Sequence, residues 1–323
     1  MYFRLYKTGL LIFGVFLSLT GKAQLIDNTS TFRSINNKSY FRFHYDNDYF
    51  TKTDYYYSQG ITVEYVHPGL KKIPVTKLLL KAKNSDTRYG ISFNLFGYTP
   101  TSIAKSEILY GDRPYASAMS IKFFAAGSDS IRQQRIASSL SIGILGPAAQ
   151  GEQIQTGIHR WLKNRLPQGW RHQIKNDIIF NYQLNYEKKI IQMGKYFLVN
   201  TAVEARLGTV HNRLSGGINF MGGNFNNPYA PAGKRKKVAY YLFGQSRLNF
   251  IGYDAMMQGG LFNRHSPYTI SAGDVKRVTF QADAGIIINL RKLFLSYTQS
   301  YLTKEFRTGR HHRWGGISFG FSF

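Results

Sequence analysis

The sequence predicts an all-β protein, a twelve-stranded antiparallel transmembrane β-barrel with a short helix in an outer loop. Three observations predict it: an export signal at the N-terminus, apolar–polar alternation over many segments, and a last alternating segment that ends on Phe323. The mean hydropathy of -0.29 excludes a polytopic helical membrane protein. It is compatible with a barrel, because strands that alternate polar and apolar residues average to a hydrophilic value.

Residues 1–23 have the pattern of a secretory signal peptide. A short basic region with Arg4 and Lys7 precedes an apolar core, and Ala23 and the glycine two positions before it are the small residues of a cleavage site. A transmembrane anchor is the alternative, but the apolar run has about half of the ~20 residues that a spanning helix needs. We therefore expect export, with residues 24–323 forming one barrel.

The chain is strongly basic and contains no cysteine. It has 42 Lys and Arg against 17 Asp and Glu, a formal net charge of +25, yet 15% of its residues are aromatic, which argues against a disordered basic tail. The lack of cysteine excludes disulfides, a cysteine nucleophile and a thiolate metal site. Positive charge suits nucleic acid or an acidic glycolipid. Export makes nucleic acid a poor partner, so we expect none.

Period-two alternation accounts for most of the chain after the signal. In the segment 197–207, for example, every second residue is apolar or threonine, and Asn200, Glu204 and Arg206 lie between them. An even number of strands places both ends of a bacterial barrel at the periplasmic rim. The predicted strands are residues 39–48, 57–67, 87–97, 115–126, 134–145, 174–189, 196–210, 214–221, 238–253, 274–290, 292–304 and 313–323.

This orientation collects the unusual polar segments at one rim. Side chains far apart in sequence would then converge on one mouth, as a functional site requires. The predicted outer loops are residues 49–56, 98–114, 146–173, 211–213, 254–273 and 305–312. The polar segments are Asp46–Phe50 with Tyr57–Gly60, Gly111–Ala116, Gly146–His159 and Glu305–Gly309.

At these segments the chain resembles the outer-membrane lipid A 3'-O-deacylase family, the LpxR type, from about Phe41 to Phe323. The resemblance is carried by the order and spacing of Asn-Asp, Tyr-Ser-Gln-Gly, Gly-Asp-Arg-Pro-Tyr-Ala, Gly-Pro-(x)11-His and Glu-Phe-Arg-Thr-Gly. It implies a calcium-dependent hydrolase that removes the 3'-linked acyloxyacyl group of lipid A in the outer leaflet. It also implies a monomer in the outer membrane whose partners are lipopolysaccharide, the surrounding lipids and the barrel assembly machinery.

His159 matches the family histidine that activates water as general base, a task that suits a neutral imidazole. We expect residues 151–165 to form a short helix in which Gln155 shares a face with His159 and can orient the imidazole. Where relatives can carry an acidic residue six positions after the histidine, this chain has Arg165. The packing side of the helix is expected to consist of Ile154, Ile158, Trp161 and Leu162.

The resemblance implies a Ca²⁺ site at the ends of the first two strands. Asp48 matches the calcium-binding aspartate, and Ser58 stands where the family has a threonine hydroxyl near the ion; both oxygens are hard ligands of the kind that Ca²⁺ prefers. Strand alternation predicts that both face the lumen. Asn47 matches the amide proposed to stabilise the oxyanion, although alternation would turn it towards lipid unless the strand ends there.

Four loop cations are candidates for binding the phosphates of lipid A, because guanidinium and ammonium groups pair with phosphate oxygens. They are Lys105, Arg113, Arg307 and Arg310.

Two other functions remain open. An outer-membrane phospholipase would need a serine within hydrogen-bond reach of His159, and a passive porin would need an open lumen. The Gly-x-Ser-x-Gly pattern around Ser318 is not the hydrolase elbow, because that motif needs a strand-to-helix turn and Ser318 falls within the last strand. The basic run 234–237 is interpreted as a solvated periplasmic turn.

Overall fold

The computed structural model describes residues 28–323, apart from residues 36, 52–54, 84, 232–235 and 237. The predicted signal peptide lies outside the described residues, as does the basic run 234–237 except for Lys236, which is exposed. The described residues form twelve strands, β1 to β12: Tyr40–Asn47, Tyr56–Val66, Asp86–Thr99, Ala116–Asp129, Gln134–Leu145, Asp177–Met193, Phe197–Gly208, His211–Asn224, Val238–Asp254, Val278–Leu290, Leu293–Leu302 and His312–Ser322.

The strands close into a barrel. Each strand pairs with its neighbours along the chain, and β1 also pairs with β12, from Tyr40 opposite Ser322 to Asn47 opposite Gly315. Closure leaves no free sheet edge, which matters because unpaired backbone groups are costly in lipid. The predicted twelve-stranded antiparallel barrel is confirmed.

Alternation sorts the side chains into an apolar outer face and a largely polar lumen. On the outside, Phe41, Ile121 and Phe180 are exposed, as lipid-facing residues are. Inside, the buried carboxylate of Glu204 pairs with Arg213 at 2.8 Å and Arg247 at 3.3 Å. Side chains such as these occupy the lumen, which disfavours the porin interpretation.

The chain before β1 lies inside the barrel, and we call residues 28–35 the N-terminal plug. Arg33 donates to the hydroxyl of Ser318 on β12 at 2.8 Å, and its guanidinium lies 3.1 Å from the imidazole of His44 on β1. The ring of Phe32 stacks on Phe243 with centroids 4.6 Å apart. Thr31 binds Glu187 through its backbone and its hydroxyl. The plug therefore contacts strands around the whole barrel.

Two short helices lie at the outer rim: α1, Gly151–Trp161, and α2, Ala255–Gln258. No helix within the described part of the chain is long and apolar enough to cross a membrane. The predicted helix 151–165 is four residues too long, because the backbone reverses at Lys163, which has a φ of 53°. The predicted loop 211–213 is also wrong, since these residues belong to β8 and the outer turn is residues 209–210.

Candidate functional site at the outer rim

Asn47 ties β1 to β2 at the rim. Its amide nitrogen donates to the Ser58 carbonyl at 2.6 Å and to the Tyr45 hydroxyl at 3.0 Å, and its amide oxygen accepts from the backbone N–H of Tyr49 at 2.7 Å. Asn47 and Tyr45 share the outward face of β1 with exposed Phe43. Both amide protons are engaged, so an oxyanion can bind this amide only by displacing one of these two acceptors, of which the Tyr45 hydroxyl has the longer contact.

Ser58 lies in a β-bulge that the sequence did not predict. The register between β2 and β3 shifts between Tyr57 and Gln59, and the Ser58 hydroxyl bonds to that of Thr99 at 2.6 Å. Thr99 shares its face of β3 with Phe93, which is exposed on the outer wall. The predicted lumen orientation of Ser58 is therefore wrong, because a bulge re-aims the side chain.

Asp48 begins a 3-10 turn, Asp48–Thr51, directly after β1, and its side chain is buried. Within the described residues no group of three or more His, Asp or Glu side chains could hold a metal. The ligands expected from the sequence are the carboxylate of Asp48 and the hydroxyl of Ser58, which is hydrogen-bonded to that of Thr99. Carboxylate and neutral oxygens fit Ca²⁺ in kind, so the residues present are compatible with the expected ion.

Helix α1 lies on the outer wall rather than over the lumen. Its first residue, Gly151, packs against Ser117, which has the outward parity of exposed Ile121. The carbonyl of Gly151 accepts from the side-chain amide of Gln59 at 3.5 Å. One turn later Gln155 is buried and accepts from the indole N–H of Trp170 at 2.7 Å. Gln155 thus anchors the helix, and the expected contact between Gln155 and the His159 imidazole is not formed.

A backbone reversal orients His159. After α1, the N–H of Asn164 donates to the carbonyl of His159 at 2.8 Å and the N–H of Lys163 to that of Arg160 at 3.1 Å. These two bonds and the left-handed Lys163 form a Schellman motif. The motif turns the chain so that the Arg165 carbonyl bonds to Nδ1 of His159. A carbonyl can only accept, so Nδ1 carries the proton and Nε2 is left as the basic nitrogen.

The expected packing side of α1 is only partly correct. Ile154 and Ile158 are half-buried, but Trp161 and Leu162 are 81% and 53% exposed. Because α1 lies on the outer wall, these two side chains project where the membrane would surround the barrel. Their exposure is the arrangement expected of residues that meet lipid.

Arg113 is buried at the mouth of the barrel. Its guanidinium pairs with Glu305 and lies 3.8 Å from the centre of the Tyr98 ring. Burial is the largest influence and lowers the pKa of Arg113, but Glu305 and the neighbouring acidic and tyrosine groups together raise it by more, so the net shift is upward. The sequence predicts that Arg113 is open to phosphate. Its 1% exposure argues against direct contact with a lipid and makes it a link between two outer loops.

The same loops are joined by Asp112 and its neighbours. Asp112 accepts from the backbone N–H of Thr101 at 2.8 Å, and its carbonyl accepts from the Tyr268 hydroxyl at 2.9 Å. Thr308 donates to the carbonyl of Gly111. Burial raises the pKa of Tyr268, which keeps this hydroxyl protonated as a donor. The loops after β3, β9 and β11 therefore form one connected rim.

The other predicted phosphate-binding cations are accessible. The side chain of Lys105 is 57% exposed and lies 3.9 Å from Glu107, and that of Arg307 is 74% exposed and pairs with Asp274 at 2.9 Å. Arg310 is also exposed. All three lie on loops of the outer rim, where they can meet an anionic headgroup.

Comparison with known proteins places this chain in a family. The model of a family described as outer membrane protein LpxR matches residues 10–323. The chain belongs to the LpxR family. A solved structure, LpxR from Salmonella typhimurium, matches with a TM-score of 0.70 and 17% identity over 88% of this chain and 100% of that chain. A comparison with curated protein sequences found no match.

Other barrels are less similar in structure. The NanC porin has a TM-score of 0.40 and 6% identity over 88% of this chain and 100% of its own, and the β domain of the Bordetella autotransporter BrkA has 0.41 and 9% over 88% and 98%. The LpxR family and the barrel architecture place the protein in the outer membrane.

This LpxR-family barrel also contains a serine–histidine–aspartate set in its lumen. The hydroxyl of Ser318 lies 2.6 Å from Nδ1 of His44, and Nε2 of His44 lies 2.7 Å from Asp46. All three side chains are at most 4% exposed, and Arg33 of the plug covers the serine. An ester cannot reach this set. His159, in contrast, bonds to a backbone carbonyl. The phospholipase alternative would need a serine in that position.

Sequence reasoning missed several residues of the LpxR-family rim. The motifs identify Ser58 and Arg113 but not the side chains that contact them, because contacts across the rim depend on strand register and loop packing. Glu305 did carry a signal, since it opens the Glu-Phe-Arg-Thr-Gly motif that was matched as a unit. The missed partners are Tyr98, Thr99, Trp170, Glu305 and the carbonyl of Arg165.

Proposed function

We propose that this protein is a calcium-dependent hydrolase that removes the 3'-linked acyloxyacyl group of lipid A in the outer leaflet. One observation supports it most: the elements around His159 lie on the lipid-facing side of the outer rim, as the contacts of Gly151 with outward Ser117 indicate. A substrate held in the outer leaflet would reach this side without entering the lumen. Membership of the LpxR family agrees with this placement.

In the proposed reaction Nε2 of His159 takes a proton from water as the water oxygen attacks the ester carbonyl. The tetrahedral intermediate then collapses, and the bond between the acyl carbon and the sugar oxygen breaks. The imidazolium returns the proton to the leaving sugar oxygen. The Arg165 carbonyl holds the ring in the required tautomer and supports its positive charge. No covalent acyl-enzyme forms, because the histidine only transfers a proton.

Asp48 and the hydroxyl of Ser58 would hold Ca²⁺, which supplies a Lewis acid for the oxyanion when bound. Asn47 would add its amide N–H after the Tyr45 hydroxyl is displaced. The exposed cations Lys105 and Arg307 would pair with lipid A phosphates. Trp161 and Leu162 on α1 would contact the acyl chains.

The deciding experiment compares two rim histidines. His159→Ala should keep the barrel folded and abolish deacylation, whereas His265→Ala, which alters an exposed histidine of another outer loop, should keep it. Folding is checked by heat-modifiable gel mobility and the reaction by mass spectrometry of lipid A from cells that express each variant. Loss of 3'-linked acyl chains in cells with folded His159→Ala would refute the proposal.

A further inference from the structure

The connection between β2 and β3 does not form a simple turn, and we call its residues 67–83 the wall segment. Leu79 of this segment is buried against Tyr89, Ala125 and Leu140. Ala125 has the same parity along β4 as exposed Ile121, while Lys122 and Phe124 face the lumen. The wall segment therefore lies against the outside of the barrel, across β3, β4 and β5.

The barrel wall satisfies the backbone of this segment. The Tyr182 hydroxyl of β6 donates to the Leu78 carbonyl and accepts from the Leu80 N–H, both at 3.1 Å. The Ser138 hydroxyl of β5 donates to the Leu80 carbonyl at 2.7 Å. An extended backbone in lipid needs partners of this kind, because no water replaces them there. These two side chains thus provide the hydrogen bonds that the backbone of the segment needs in an apolar environment.

The surface of the wall segment that faces away from the barrel is apolar and basic. Leu78 and Leu80 are 64% and 55% exposed, and the segment contains no Asp or Glu. Exposed lysines follow one another along it: Lys71, Lys72, Lys77, Lys81 and Lys83. Apolar side chains next to clustered lysines are the pattern of a segment that lies in a membrane interface and meets anionic headgroups.

The position of the segment identifies the leaflet. β2 ends at Val66, which pairs with Tyr40, the first residue of β1, so the segment starts at the rim opposite Asn47 and the candidate site. That rim is periplasmic in an outer-membrane barrel. We propose that the wall segment is an interfacial anchor that binds the headgroups of anionic phospholipids in the periplasmic leaflet.

A depth measurement tests the location. The chain has no cysteine, so Leu80→Cys accepts a single nitroxide label without other changes. In vesicles, the label at residue 80 should collide more with oxygen than with a water-soluble nickel chelate. Ile131→Cys, in the turn between β4 and β5 where the side chain is 91% exposed, should show the opposite order. Equal nickel accessibility at the two sites would overturn the proposal.

A charge comparison tests the lipid chemistry. Folded protein is placed in phosphatidylcholine vesicles with and without phosphatidylglycerol, and the midpoint of thermal unfolding is followed by heat-modifiable mobility. Phosphatidylglycerol should raise the midpoint of the wild-type protein. The test variant combines Lys71→Gln, Lys72→Gln and Lys77→Gln. The control combines Lys188→Gln, Lys189→Gln and Lys195→Gln at the β6–β7 hairpin on the same rim.

The test variant should lose at least half of the rise caused by phosphatidylglycerol, and the control should retain most of it. An equal loss in both variants would mean that the effect of phosphatidylglycerol depends on the net charge of the protein alone. A full rise in the test variant would mean that these lysines do not bind the headgroups. Either result refutes the anchor. Neither measurement involves lipid A, so the outcome is independent of the proposed hydrolysis.

Discussion

The orientation of His159 depends on a backbone reversal and not on a second side chain. The family motif identifies the histidine, and residue 165 is an arginine where relatives can carry an acidic residue. The sequence could not show that the Arg165 carbonyl takes over the contact, because this depends on the left-handed conformation of Lys163. A backbone acceptor leaves position 165 free to vary in charge.

Lys163 therefore has a predicted positioning role. Lys163→Val should lower kcat, because a β-branched residue is strained at positive φ and the left-handed conformation costs a non-glycine residue roughly 1–2 kcal/mol. Lys163→Gly should keep or increase activity, since glycine is preferred at this position of a Schellman motif. Both are measured by lipid A deacylation rates on purified protein, with folding checked by gel mobility.

Arg165→Ala is the matched control, because it removes the side chain and keeps the carbonyl. It should retain activity and an unchanged pH profile. A large loss in Arg165→Ala would show that the side chain of Arg165 positions the imidazole. Full activity in Lys163→Val would show that the left-handed conformation at residue 163 is not required.

Ser58 gives a second prediction at this scale. Ser58→Thr should remain active, because threonine offers the same hydroxyl to Ca²⁺ and to Thr99, whereas Ser58→Val should lose activity and leave Thr99 with a poorer partner. Chelation by EDTA should abolish activity of the wild type, and added Ca²⁺ should restore it. Full turnover after metal removal, confirmed by elemental analysis, would contradict the metal site. The motif predicted the hydroxyl, but the bulge that aims it could be seen only in the register.

At the scale of elements, the outer loops are held together by a buried ion pair. Arg113 lies between β3 and β4 and Glu305 between β11 and β12, so the pair joins loops almost 200 residues apart in sequence. The strands themselves could be predicted, because alternation is a local signal. The pairing could not, because it depends on how long loops pack over the mouth.

Breaking this pair should loosen the rim. Arg113→Met leaves Glu305 buried without its partner, and removing one member of a buried pair costs about 3–5 kcal/mol. We expect faster protease cleavage of the outer loops and lower deacylation, with the barrel still folded. The double variant Arg113→Met, Glu305→Met should recover much of the protease resistance. Equal cleavage of wild type and Arg113→Met would show that other contacts hold the loops.

The whole molecule is a barrel whose interior is occupied. Alternation predicted the wall and its inward Arg and Glu side chains, but the N-terminal plug has no period-two pattern and its contacts with Glu187, Phe243 and Ser318 join distant strands. The wall segment escaped prediction for the same reason. Segments that pack on a finished barrel have no periodicity of their own to reveal them.

The plug predicts that the protein does not conduct ions. Wild-type protein in planar bilayers should show no stable channel, because the plug and the inward side chains fill the lumen. Paired substitution of Phe32→Gly and Arg33→Gly removes two of its main contacts, and it should produce intermittent currents and a lower thermal midpoint. Stable wild-type conductance would contradict a filled lumen.

An occupied lumen separates the number of copies in a membrane from the permeability of that membrane. Every open barrel added to an outer membrane is another route for antibiotics, bile acids and other small toxic solutes. A barrel with its own N-terminal residues inside adds its outer rim and no such route. The amount of this protein can therefore rise or fall, while the barrier that the cell presents to its surroundings stays the same.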